Sequence, residues 1–154
     1  MVYKGFSWAL SLYIAIVFVQ SLFFKFTGAY ETQHIFGVLG DWSGFQWFAE
    51  YGAYGVGSVE LVASILLMIS CWRLYGAIIS AGVMSGAVFF HLFTPLGIAM
   101  PEFNDAGVVI GDDGGLLFYN ACGLLVSAIV LAAMEFFKTD NRIKSLLCRL
   151  CRKS

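Results

Sequence analysis

The sequence predicts an all-α protein, a four-transmembrane-helix bundle, and three observations carry that prediction. Of its 154 residues 60% are apolar and only 12% are charged, where an ordinary soluble domain has about 25% charged residues. The apolar residues gather into four runs, near residues 7–27, 52–72, 74–94 and 115–137, each close to the roughly 20 residues that an α-helix needs to cross hydrocarbon. The runs are continuous, without the alternation that marks the strands of a membrane β-barrel. A transmembrane domain over residues 1–137 is therefore expected, followed by a basic tail over 138–154.

The first run follows Lys4 and so resembles a secretory signal. It is longer than the apolar core of such a signal, ends in Lys25 and lacks an A-x-A site, which makes it a retained span. The next segment, roughly 28–51, is dense in aromatic residues, with Phe36, Trp42, Phe45, Trp47 and Phe48 among glycines and acids. Two readings stand for it: an interfacial belt or short helix lying on the bilayer, or a lid over a site between the helices. The second and third spans are separated by a turn carrying Arg73, and the third contains a GxxxG pair, Gly82 and Gly86. Small residues at that spacing let helix backbones approach closely, which favours a compact bundle; a single such pair is a weak signal for a homo-oligomer. Between the third and fourth spans, roughly 95–114, two prolines and the sequence GDDGG read as a turn-rich surface loop without the spacing of a calcium-binding EF-hand. Ile143, Leu146, Leu147 and Leu150 interleave with basic residues in the tail. That pattern predicts a short amphipathic helix on an anionic leaflet.

Charge placement orients the chain. Eight of the nine Lys and Arg residues lie at Lys4, at Arg73 or in the tail, whereas the two long loops hold seven of the ten acids and no basic residue. By the positive-inside rule both termini and the Arg73 turn are cytoplasmic and the long loops face outward. In a double-membrane bacterium this implies the inner membrane, since outer-membrane spans are normally strands.

Ionisable groups inside a span cost about 2.5–3.5 kcal/mol each on insertion scales, so each needs a reason to be there. Reading the runs alone yields two, Lys25 and Glu60, with none in the inner half; His91 and Asn120 are further polar residues. Each comes from a different span and each is expected in the outer half of the bilayer, the pattern of a shared interior site. Helical phase places Ser21 on the Lys25 face, Ser64 on the Glu60 face, and Gly123 and Ser127 on the Asn120 face. For every one of them a structural role competes. Lys25 can snorkel to the headgroups, a Lys25–Glu60 pair can serve only to fix helix register, His91 can bond to a carbonyl, and Asn120 can join two helices.

Three segments, VQSLFFKFTG in the first span, GVGSVELVASILLM in the second and GAVFFHLFTPLG in the third, resemble the DoxX-like family of small four-helix membrane proteins. The resemblance spans about residues 7–135 and implies Lys25, Glu60 and His91 as the family's intramembrane polar positions; Asn120 joins them on physical grounds only. It also implies a membrane subunit or partner of a redox complex, with a quinone as the small ligand to consider. The acidic loops and the cysteine-bearing tail are not features of that resemblance.

Of four cysteines, Cys122 stands alone on the outer side, and Cys148 and Cys151 form a CxxC in the basic tail. Neighbouring cations lower a thiol pKa, so redox chemistry or lipidation of that pair is one reading, and two cysteines sharing a helix face is the other. Two close ligands do not make a zinc site. P-loop, GxGxxG, GxSxG and HExxH motifs are absent, which argues against ATPase, dehydrogenase and nucleic-acid-binding activities. The scarcity of ionisable residues along the spans disfavours transport by a monomer. Two functions remain: a redox-complex subunit whose Lys25, Glu60, His91 and Asn120 line an outward-facing pocket for a quinone or similar molecule, or a non-enzymatic scaffold in which those residues only fix helix packing.

Overall fold

The computed structural model describes the backbone of residues 2–151 and the side chains of residues 3–138. Its elements are α1 (Val2–Thr27), α2 (Tyr30–Ser43), α3 (Gln46–Met68), α4 (Arg73–Phe93), strands β1 (Pro101–Phe103) and β2 (Val109–Asp112), and α5 (Leu116–Cys151). Four helical stretches are long and apolar enough to cross a membrane: Tyr3–Thr27, Gln46–Met68, Arg73–Phe93 and Leu116–Lys138. The amphipathic face expected for the tail, and with it Cys148 and Cys151, lies outside the residues whose side chains are described.

The four long helices close a ring, α1 against α3, α3 against α4, α4 against α5 and α5 against α1. Its core is apolar and tight, built from Ile14 and Phe18 of α1, Ala63 and Leu67 of α3, Ala77 and Met84 of α4, and Leu124, Ala128 and Leu131 of α5. The outside is apolar as well. Ile16, Phe23, Ile65, Ile78, Phe93 and Val126 are each more than half exposed, and only 22–33% of each span is buried within the chain. Apolar surface on that scale is tolerated where lipid is the solvent. The chain is a multi-pass integral membrane protein.

Two sequence expectations change. The aromatic segment after the first span is mostly helix: only Gly28 and Ala29 separate α2 from α1, and α3 begins at Gln46 rather than near residue 52. α2 buries Phe36 and Leu39 and lies against the first turns of α3, close enough that a Cβ on Gly40 would sit 2.7 Å from the Ala49 methyl. The segment is thus a helix of 14 residues packed against the start of α3. The GxxxG pair, by contrast, brings nothing together within the chain, because a Cβ on Gly82 or Gly86 would meet no atom within 4 Å. The close approach between helices is at Gly76, where an added Cβ would stand 2.8 Å from the Leu67 nitrogen and 3.0 Å from the Ala63 oxygen. The turn over 69–72 is so short that α4 must leave α3 with its backbones nearly touching, and only glycine fits there.

The turn-rich loop before α5 contains a short β-hairpin. β1 and β2 pair antiparallel, and the Asn104 carboxamide accepts from the Ala106 and Val108 amides across the bend.

Candidate functional site

Lys25 stands in the last turn of α1, but its side chain does not run on past the helix end. It folds inward to Glu60 of α3, and the ammonium donates to Glu60 Oε1 at 2.9 Å, to Glu60 Oε2 at 2.7 Å and to Ser21 Oγ at 2.9 Å. Ser21 in turn donates to Glu60 Oε2 at 2.7 Å. Both charged side chains are withdrawn from the surface, at 15% and 3% relative exposure for Lys25 and Glu60. The local sequence makes this geometry: Ser21 and Lys25 are one helical turn apart on the same face, and Gly57, one turn before Glu60, leaves room for Leu22, Phe26 and the Lys25 stem to lie across α3. Ser64, on the Glu60 face, bonds to the Glu60 backbone carbonyl instead of the carboxylate.

Chemically the cluster is closed. A lysine ammonium has three N–H donors, and all three are engaged within the chain. Both carboxylate oxygens also accept hydrogen bonds, so the pair is neutral overall and satisfied.

The other two expected members lie apart from it. His91, buried in the last turn of α4, hydrogen-bonds through Nδ1 to the Gly97 carbonyl oxygen at 2.6 Å, and its ring packs edge-to-face with Phe118. A carbonyl only accepts, so Nδ1 carries the proton. The histidine thus ties the end of α4 to the loop that follows. Asn120 of α5 accepts from the Tyr13 hydroxyl of α1 in a long contact of 3.4 Å, which links two neighbouring helices of the ring. Along the chain Glu60 lies near the middle of its helix, which opens at Gln46, whereas Lys25, His91 and Asn120 are near the ends of theirs; the Lys25 and Glu60 side chains meet all the same.

Beside His91, Asp113 organises the loop between α4 and α5. Its carboxylate accepts from the amides of Met100, Gly115 and Leu117, capping α5 and holding Met100, which is fully buried. Partial burial pushes the Asp113 carboxyl up, but the three amide donors and the nearby charge of His91 outweigh it and hold the group below its ordinary value. Asp112 likewise accepts from the Gly114 amide. The acids of GDDGG therefore spend their oxygens on backbone.

The structure also contains buried charge that the sequence reading missed. At the basic end of the bundle Arg73 and Glu135 are 2% and 3% exposed and approach to 3.5 Å, so the half of the bundle away from Lys25 also holds ionisable residues. Arg73 Nε donates to the Leu67 carbonyl oxygen, satisfying a C-terminal carbonyl of α3, and the Trp8 ring lies over its guanidinium at 4.1 Å. Lys138 donates to the other oxygen of Glu135. The available signal was Glu135 itself, an acid inside the fourth apolar run and three residues before a lysine. Of the cysteines with described side chains, Cys71 is exposed and Cys122 half-buried, and both are free thiols. No family model matches the chain, and neither the curated proteins nor the solved structures searched contain a match to it.

Proposed function

We propose that the protein is a non-catalytic membrane subunit or assembly partner, in which Ser21, Lys25 and Glu60 fix how α1 meets α3. The observation that carries this reading is the closure of that cluster: every ammonium donor is consumed inside the chain, leaving none to hold a ligand. His91 and Asn120 support it, each being spent on a contact between neighbouring parts of the fold. The charge distribution supports an orientation with both termini and the Arg73 turn cytoplasmic, placing the tail, read as a short amphipathic helix, on the inner leaflet of the cell membrane. The likeness to DoxX-like proteins supports a redox complex as the partner.

A second reading, a pocket for a quinone or similar ligand, is favoured by one observation. A buried ion pair in a span is costly and an apolar pair often packs as well, which leaves room for a function beyond packing. Thermal unfolding in detergent, with and without a short-chain quinone, separates the two. The packing reading predicts that Glu60→Gln lowers the melting temperature and that quinone shifts neither protein. A quinone-induced rise in the wild type that Glu60→Gln abolishes, with the ligand-free melting temperature unchanged, would contradict it.

A further inference from the structure

At the basic end of the bundle a cavity of about 240 Å³ opens between α1, the α3–α4 turn and α5, with Lys4, Arg73, Glu135 and Lys138 in its wall. Three cations face one carboxylate. Arg73 and Lys138 both approach Glu135, so that acid offsets one positive charge and leaves an excess of two. Lys4 is exposed and forms no ion pair among the described residues. The guanidinium of Arg73 cannot swing out to water, being held by the Leu67 carbonyl on one side and covered by Trp8. Independently of these charges, the hydroxyl of Ser7 lines the same cavity, is 2% exposed and has no hydrogen-bond partner among the described residues. A buried hydroxyl left unpaired is unfavourable, and buried polar atoms in folded proteins are nearly always matched.

We propose that this cavity is a binding site for a phosphate group. Its excess positive charge, fixed guanidinium and unpaired hydroxyl together are the donors that tetrahedral anionic oxygens take up. The cavity lies at the ends of the spans, where phospholipid headgroups run, and basic pockets between transmembrane helices bind such headgroups. Inorganic phosphate offers the same oxygens, so the source is a matter for experiment. The inference rests on the opposite end of the bundle from Lys25 and Glu60 and stands whichever reading of that pair holds.

The test uses the full chain in a neutral detergent, titrated separately with phosphatidylglycerol, phosphatidylcholine and inorganic phosphate while the melting temperature is followed. The proposal predicts a saturable rise with phosphatidylglycerol and little with phosphatidylcholine; an equal rise with inorganic phosphate also supports the site and identifies the free anion as its ligand. Lys4→Gln and Ser7→Ala leave every contact of Arg73 in place and should not lower the ligand-free melting temperature. Removing the Lys4 charge should weaken apparent affinity about fivefold, the worth of one cation near an anionic surface, and Ser7→Ala should weaken it again, which general surface attraction would not do. Equal shifts from the two lipids, no response to any of the three ligands, or a Ser7→Ala protein that titrates like the wild type would overturn the proposal.

Discussion

Asp113 illustrates how a single side chain can decide the shape of the loop between two spans. Because its carboxyl is held below its ordinary value, its stabilising effect is complete above the unfolded value of about 3.9 and is lost as the pH falls through the lower folded value. Asp113→Ala removes the cap from α5 and should cost about 0.5–2 kcal/mol, read as a lower melting temperature at neutral pH and faster hydrogen exchange at Met100, Gly115 and Leu117. The difference from wild type should vanish in strong acid. Residue by residue, what the sequence revealed followed cost. Lys25 and Glu60 stood out because a charge in an apolar run demands a partner, and the structure pairs them. Glu135 did not, because it lies near the end of its run, and Arg73 was read only as part of a short turn, whereas it is buried beneath Trp8. The positive-inside rule places a cation on a side of the membrane and says nothing of whether it faces water.

At the level of elements, the four spans were legible in composition because hydrocarbon selects continuous apolar helices. Their ends were not. α2 carries only a narrow buried stripe, Phe36 and Leu39 among exposed aromatics, and a short helix of that kind reads much like an aromatic belt. Helix contacts were misjudged for a related reason: glycine spacing marks where backbones can approach, and only the turn length determines where they must. Gly76→Ala should therefore cost about 1–3 kcal/mol by overpacking against the α3 backbone. Gly82→Ala and Gly86→Ala, in open space within the chain, should be neutral or stabilising by up to about 1 kcal/mol through helix propensity. Melting temperatures of the three variants in detergent check the contrast; a Gly82→Ala protein destabilised as much as Gly76→Ala would show that α4 packs through that face.

Across the whole molecule the two buried charge clusters divide the work of closing the ring. Lys25 and Glu60 join α1 to α3, while Arg73 and Glu135 join α4 to α5 and the Arg73 guanidinium also caps α3. Between them the core is aliphatic and small-residue packing, with lipid on the outside. Lipid gives helices no hydrophobic reason to associate, so polar contacts and close packing must specify the arrangement. The most direct test of a structural role for the Lys25–Glu60 pair is a double-mutant cycle of unfolding in detergent with Lys25→Met, Glu60→Leu and both together. If the pair fixes packing, each single change strands a buried polar partner and costs about 3–5 kcal/mol, while the double change recovers most of that loss. A double variant that is destabilised by the sum of the two single effects would contradict the account.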